Sequence, residues 1–357
     1  MRILIAGGGT GGHVIPALAI GRELQSRFGA EVVFVGTARG IENRLVPAAG
    51  FRLELVNVGA LKNVGPITLL RTVVDLPRAV LAASRLLGRF RPDAVIGVGG
   101  YASGPAMLAA ALRRTPMLAF EPNLVPGFAN RAVARFVNAA AVQFEETARY
   151  FPHAQVTGVP VRPEFFSLPS PSPPSETPPT LLVTGGSQGA SAINRAVTAA
   201  LPAMKQRLPQ LRIIHQTGER DHKEVEQAYA ASGMSAAAEV TPFIADMPAA
   251  FARAHLLICR SGASTVAEVA AAGKVAIFIP FPLAADDHQR RNAEALEQRD
   301  AAALMPQSEL TPERLSELVL TLLGDRSRME RMATAARGLA HPDATVRIAD
   351  MVAGIIR

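Results

Sequence analysis

The chain alternates short, unbroken apolar runs with longer amphipathic stretches. In the first half the runs are RILIA (2–6), EVVFVG (31–36), DAVIGVGG (93–100) and PMLAF (116–120). In the second they are TLLVTGG (180–186), LRIIHQTG (211–218), AEVTPF (238–243), HLLICRSG (255–262) and KVAIFIP (274–280). Most of these runs do not alternate with polar residues, so they predict parallel strands covered on both faces. The stretches between them, including 14–28 and 190–207, predict helices. Each half opens alike: MRILIAGGGTGGH and TLLVTGGSQGAS both carry a strand into glycines and then into a helix. Eight prolines fall within residues 160–179. Proline fixes φ and removes a donor, so this segment predicts an extended, semi-rigid linker. The fold expected is α/β, with two doubly wound, Rossmann-like domains whose ligand-binding strand ends face one cleft. Its parts are an N-terminal domain over 1–162, a linker over 163–179, a C-terminal domain over 180–340, and a closing helix over 341–357 whose packing partner stays open.

Composition narrows this picture. With 357 residues, 49% hydrophobic and 19% charged, the chain suits two domains with their own cores and not a disordered chain. No run reaches the ~18 apolar residues of a spanning helix. The opening apolar run is shorter than the ~7–15 residues of a signal-peptide core, so a reducing cytoplasm is expected. Cys259 is the only cysteine, which excludes a disulfide framework and a thiolate zinc cluster. Charge is uneven: residues 1–162 carry 18 Lys+Arg against 9 Asp+Glu, and the remainder 19 against 21. The excess positive charge of the first half points to an anionic partner.

The glycine turns carry candidate chemistry. Gly7, Gly9 and Gly12 satisfy G-x-G-x-x-G, a pattern shared with dinucleotide-binding folds. A nicotinamide cofactor would call for an acidic residue at the end of the second strand, which here reads FVGTARG without a carboxylate. What the turn needs is glycine, because amides close around a phosphate only where no Cβ intrudes. Thr10 adds a hydroxyl, and His13 falls on the first helical turn. An isolated histidine there serves equally as a cap or a packing group; the surrounding glycines favour a functional role. In the second half Gly185, Gly186 and Gly189 bracket Ser187, poised for an anion at a helix start. Gly97, Gly99, Gly100 and Gly104 form a third cluster behind a strand.

RSGASTVAEVAAAG (260–273) predicts a strand end followed by a helix from Ala263. Ser264 and Thr265 lie in its first turn, where unpaired amides accept a phosphate. Glu268 lies one turn further in and is the only charge between Arg260 and Lys274. A carboxylate there can accept both hydroxyls of a ribose. Asp286, Asp287, His288 and Gln289 precede another helix. Consecutive side chains rarely converge on one ion, so contacts to sugar hydroxyls are favoured over a metal site.

GGTGGH (8–13), GVGGYASGP (97–105), FEPN (120–123), GVPVR (158–162), GGSQGA (185–190), RSGASTVAE (260–268) and DDHQRRNA (286–293) together resemble the bacterial MurG family over nearly the whole chain. The resemblance implies a glycosyltransferase of the two-Rossmann (GT-B) architecture. Its donor is UDP-N-acetylglucosamine, and its acceptor is the 4-hydroxyl of the muramoyl sugar on undecaprenyl-diphospho-muramoyl-pentapeptide. The product, lipid II, is β-(1→4)-linked and serves peptidoglycan synthesis. Carried over by position, Ile244 meets the uracil through its backbone with Arg162 nearby. Glu268 takes the ribose. Ser187 and the amides of Ala263, Ser264 and Thr265 take the diphosphate, and Gln289 reads the sugar. Thr10, Gly11, Gly12 and Asn123 close over the donor, and His13 is the candidate base or phosphate contact. No cofactor and no tightly bound metal are expected. His288 departs from members with two adjacent glutamines and puts one sugar contact in doubt. The rival readings are a related transferase acting on another lipid or small acceptor, and a non-catalytic UDP-sugar-binding module.

Residues 62–91 hold six Lys+Arg and one Asp. Arg71, Arg78 and Arg85 are seven apart and share a helical face, with Arg89 below. Leu69, Leu70, Val73, Val74, Val80, Leu81, Leu86 and Leu87 are expected on the other side, with a kink or a new helix at Pro77. A solvated surface helix accounts for this pattern by itself. With a lipid-linked acceptor, peripheral attachment to an anionic membrane is expected, at the cytoplasmic face of the bacterial inner membrane. Nucleic acid is not expected, since Trp is absent and Tyr numbers three.

Overall fold

A computed structural model describes residues 1–38, 40–56, 66–100, 102–169 and 177–356; of residues 66–74 only the backbone is described. The chain forms two compact units, Met1–Pro160 with His341–Arg357, and Val161–Ala340.

The strands of unit 1 are β1 (Arg2–Ala6), β2 (Glu31–Gly36), β3 (Arg52–Leu55), β4 (Ala94–Gly97), β5 (Met117–Glu121), β6 (Ala139–Val142) and β7 (Ala154–Val156). They form one sheet, ordered β3-β2-β1-β4-β5-β6-β7, with every pairing parallel. Unit 2 holds β8 (Thr180–Thr184), β9 (Arg212–Gln216), β10 (Ala238–Thr241), β11 (Leu256–Cys259), β12 (Val275–Phe278) and β13 (Ala303–Leu304). Their order is β10-β9-β8-β11-β12-β13, again all parallel. Strand order reverses at β1 in one unit and at β8 in the other. In open parallel sheets that switch point is where ligands sit, beyond the carboxyl ends of the strands.

Burial follows the apolar runs. Ile3, Leu4 and Ile5 of β1 and Leu181, Leu182 and Val183 of β8 are inaccessible, because helices cover both faces of each sheet. Tyr229, Phe251 and Phe278 anchor the second core.

Several boundaries differ from expectation. The first unit ends at Pro160, so Val161 and Arg162 belong to the second. The Pro-rich stretch does not start as a linker: Pro163–Phe165 makes a 3-10 turn. The Phe165 ring is fully buried, edge-on to Phe251 at 5.0 Å, and burial of an aromatic ring holds the turn in place. Pro171, Pro173 and Pro174 lie outside the described residues. The closing helix, Ala344–Ile356, returns to unit 1 and packs on helix Gly11–Phe28 and on β4, β5 and β6. Arg27 donates to Asp350 there at 2.9 Å.

Helix Pro66–Phe90 runs on through Pro77 without a new start. Ala79, Ala83, Leu86 and Leu87 are buried, whereas Leu81, expected on the packed side, is 51% exposed. It stands three residues from Arg78 and four from Arg85, hence on their face.

Candidate active site

In unit 1 three loops at strand ends carry the expected residues. The first follows β1. Gly7, Gly8 and Gly9 take φ of 152°, 156° and 90°, a path closed to residues with a Cβ. Thr10 is the N-cap of helix Gly11–Phe28, and its side chain makes no cap bond. The second loop follows β4, and the two interlock: Gly8 N–H donates to the Gly99 carbonyl at 3.3 Å. A Cβ on Gly7 would strike that carbonyl, and one on Gly100 would strike the carbonyl of Gly8. The His13 ring lies over Gly99, where an added Cβ would stand 3.0 Å from its Cε1. Histidine and glycine clusters separated by some 85 residues of chain are thus one assembly.

The third loop follows β5 and carries Asn123. Its organiser is Glu121, which is buried. The Glu121 carboxylate accepts Asn123 N–H (3.0 Å), Asn123 Nδ2 (3.1 Å), Gly127 N–H (2.9 Å) and Asn130 Nδ2 (2.9 Å). Burial raises its pKa, against the pull of those hydrogen bonds. The Thr147 hydroxyl fixes the other side of the loop by donating to the Leu124 carbonyl at 2.9 Å.

The first loop also rests on a carboxylate that the motifs did not reveal. Glu42 is 1% exposed and accepts Gly9 N–H at 2.7 Å and Thr37 N–H at 2.9 Å. FVGTARG lacks an acidic residue, yet Glu42, from helix Glu42–Ala48, supplies one beside the end of β2. Both of its oxygens are taken by protein donors and closed off from solvent, so it cannot hold a ribose as a nicotinamide site requires.

In unit 2 the switch point is built the same way. Gly186 (φ 85°) and Gly189 (φ 72°) turn the loop after β8, and Ser187 is exposed at its tip. A Cβ on Gly189 would collide with the carbonyl of Thr217. Gln216 ties this loop to the next: its Nε2 donates to the Gly186 carbonyl (2.8 Å), and its Oε1 accepts Ile244 N–H (2.8 Å). The backbone N–H of Ile244 is therefore engaged. Beneath lies a buried polar chain. The His215 ring reaches Tyr229 Oη and Asn194 Oδ1, each at 3.1 Å, and Asn194 Nδ2 donates to Asp221 at 2.9 Å. Burial lowers the His215 pKa to about 3, so the ring is neutral.

Helix Ala263–Ala272 begins after β11 with Gly262 as N-cap, no side-chain cap and no acidic residue in its first turn. Its first amides therefore lack side-chain acceptors. The Ser264 Oγ is buried and has no hydrogen-bond partner within the protein. Four residues on, hence on the same helix face, stands Glu268. Burial pushes the Glu268 carboxyl up to about 7, and the Arg162 guanidinium opposes that rise. Arg162 itself lies over the Phe165 ring at 5.1 Å. The buried turn thus holds Arg162, of the GVPVR motif, within electrostatic reach of the glutamate.

After β12, Asp286 and Asp287 take the left-handed φ of 55° and 52° and lead into helix His288–Glu297. Gln289 is held at both ends: its Oε1 accepts Phe281 N–H (3.0 Å) and its carbonyl accepts the buried Ser261 hydroxyl (2.8 Å). His288 Nδ1 contacts the Ala285 carbonyl at 2.7 Å, so its ring is tied to its own turn. Among the described residues no three His, Cys, Asp or Glu side chains group as metal ligands.

Of the basic candidates, Arg78 pairs with Asp75 (2.9 Å), Arg89 pairs with Glu54 (3.2 Å), and Arg85 is exposed. The Arg71 side chain lies outside the described residues. A separate groove of about 570 Å³ in unit 1 is lined by Arg131, Arg135, Arg149 and Tyr150. Among the described residues no helix is long and apolar enough to cross a membrane.

The chain matches known proteins over nearly its whole length. Residues 3–142 match the glycosyltransferase family 28 N-terminal domain and residues 180–348 its C-terminal domain. The UDP-N-acetylglucosamine–N-acetylmuramyl-(pentapeptide) pyrophosphoryl-undecaprenol N-acetylglucosamine transferase of Solibacter usitatus is 48% identical, covering 99% of this chain and 96% of its own. That of Pelobacter propionicus is 45% identical, covering 99% of each. The crystal structure of Acinetobacter baumannii MurG superposes with a TM-score of 0.82 at 35% identity, covering 99% of both chains.

Proposed function

Because the chain belongs to the MurG family, within glycosyltransferase family 28, we propose that the sites just described divide donor and acceptor chemistry between the two units. The protein is an N-acetylglucosaminyltransferase. It moves N-acetylglucosamine from UDP-N-acetylglucosamine to the muramoyl sugar of the undecaprenyl-diphospho-pentapeptide carrier, the step from lipid I to lipid II in peptidoglycan synthesis.

One observation carries the donor assignment: an unpartnered buried hydroxyl, Ser264 Oγ, at an uncapped helix start one turn before a half-buried carboxylate. Along a helix four residues rise about 6 Å, so one face offers a phosphate contact and then a ribose contact. In this reading the diphosphate rests on Ser264, on the amides of Ala263 and Thr265, and on Ser187. Glu268 accepts the ribose hydroxyls, with Arg162 favouring its ionised form. The uracil is read through the Ile244 carbonyl, since its N–H is held by Gln216. Gln289 turns its amide nitrogen to the sugar.

Departure of UDP leaves negative charge on the diphosphate. Amides and a helix start aimed at that charge stabilise it without reorganising. In unit 1, Thr10, Gly11, Gly12 and Asn123 add to the donor contacts, as the family resemblance implies. His13 takes the proton from the attacking hydroxyl, a contribution of roughly 10²–10⁴-fold. Attack from behind an α-linked donor inverts the anomeric carbon and gives a β-linkage. No metal is assigned a role. Attachment to the cytoplasmic face of the inner membrane is peripheral in this reading. It rests on the Arg78–Leu81–Arg85 face and the Arg131–Arg135–Arg149 groove, where cations flank exposed apolar groups.

The test is transfer of labelled N-acetylglucosamine to a short-chain muramoyl-pentapeptide diphospholipid. The reading expects label in the lipid fraction, with UDP released in equal amount. Label transferred only to other lipids, or UDP-sugar bound without turnover, would sink it.

A further inference from the structure

Glu42 lies outside every motif that suggested the function, yet the first glycine loop is built around it. Both of its oxygens accept, as an ionised carboxylate does: Oε2 takes Gly9 N–H (2.7 Å), and Oε1 takes Thr37 N–H (2.9 Å) and the Thr37 hydroxyl (3.1 Å). All three donors are neutral. Three glycines close around the carboxylate, since a Cβ on Gly8, Gly36 or Gly40 would collide with the Glu42 side chain. A buried carboxylate held by neutral donors is expensive unless its hydrogen bonds are complete, and apolar packing would hold a turn at lower cost. What the carboxylate adds is direction. It draws Gly9 N–H inward, and with it fixes the chain path on which Thr10, Gly11, Gly12 and His13 follow.

We propose that Glu42 is a positioning residue for the transfer reaction, acting through the Gly9–His13 turn to hold His13 and the Thr10–Gly12 amides in working geometry. This rests on the proposed roles of His13 as the base and of Thr10, Gly11 and Gly12 as substrate contacts. It also assigns the carboxylate a restraint on what the turn binds: with Gly9 N–H consumed and a negative charge directly beneath, the turn favours a neutral hydroxyl over a dianion.

Glu42→Gln separates the possibilities. The variant is isosteric, but its single carbonyl can satisfy only one of the two backbone donors, and its amide must face the other. A displacement of about 1 Å at a reacting group costs roughly 10²-fold in rate. Expected for Glu42→Gln is therefore a fall in kcat on the order of 10²-fold, with a much smaller rise in the KM for UDP-N-acetylglucosamine, because most of the residues assigned to the donor lie in unit 2. Glu42→Asp, which keeps the charge but is shorter, should recover part of the rate. Thr37→Val removes one donor while leaving the carboxylate in place, and should lower kcat only by about fivefold. It keeps the test open if Glu42→Gln fails to fold. Amide hydrogen exchange at Gly9–His13, measured on the same proteins, must rise in Glu42→Gln whatever the reaction is. Faster exchange with no transferase activity even in wild type would refute the functional reading and leave the role in shaping the turn. Wild-type kcat in folded Glu42→Gln, or changes in kcat and donor KM that simply follow the loss of stability, would overturn the proposal.

Discussion

If Glu268 takes the ribose as proposed, its pKa makes donor affinity depend on pH in a calculable way. Burial places the carboxyl at about 7, with Arg162 opposing the rise. Only the ionised form can accept both ribose hydroxyls, so affinity should track the ionised fraction. With a pKa of about 7 that fraction is roughly one in eleven at about pH 6 and ten in eleven at about pH 8. Affinity for UDP-N-acetylglucosamine should therefore rise about tenfold across this interval, or about 1.4 kcal/mol. The sign is fixed: the proton competes with the ribose, so binding weakens as pH falls through 7. Calorimetric titration between about pH 5.5 and 8.5 reads this directly, and the diphosphate diester of the donor does not itself titrate there. Glu268→Gln should bind about 10–100-fold more weakly at high pH, the range for a lost hydrogen bond to a charged group, and its affinity should be flat with pH. Arg162→Ala removes the cation that favours ionisation, so the midpoint should move above 7. A flat wild-type profile, or the same slope persisting in Glu268→Gln, would refute the reasoning.

His13→Ala should lower kcat by roughly 10²–10⁴-fold while leaving the donor KM nearly unchanged; steady-state kinetics showing near-normal turnover would remove the ring from the base role. Treatment with EDTA should leave turnover substantially intact, because turn amides and helix starts are assigned the departing charge; complete loss restored by added metal would contradict that assignment. Acid should destabilise unit 2 through His215. Its folded pKa is lowered to about 3 from the model-compound value of 6.5, so the unfolded chain binds the extra proton between those values and stability falls as pH drops below about 6.5. At about pH 5 the loss from this group is on the order of 2 kcal/mol. Urea denaturation should show this loss, and His215→Gln should show a shallower pH dependence.

Long apolar runs made most of the fold legible. β1, β2, β4, β5, β8, β9, β11 and β12 all read as buried strands because both faces of each are covered. β6 is AAAV, whose alanines favour a helix when read locally, and only its place between β5 and β7 makes it a strand. β3 (RLEL) sits at a sheet edge and carries charge, so it lacks the unbroken apolar signal. Pro77 stands in a continuous helix because packing of Ala79, Ala83, Leu86 and Leu87 overrides the local break. Among the proposed site residues, those inside motifs had readable positions: Ser264 and His13 stand in the first turns of helices behind strands, and Glu268 lies one turn further in. The carboxylates and amide that shape those loops were not. Glu42 and Gln216 act through backbone donors far away in sequence, a relation with no fixed spacing. Glu121 lay in view within FEPN, but only its bonds to Asn123, Gly127 and Asn130 give it a role. The one signal for Glu42 was the pair Gly36 and Gly40 ahead of it, glycines that no strand or helix required.

If the loops of unit 2 hold the donor, saturating UDP-N-acetylglucosamine should slow amide hydrogen exchange of the whole protein at Gly185–Ala190, Pro242–Asp246 and Ala263–Glu268. Protection confined to unit 1, with those three segments unchanged, would contradict it.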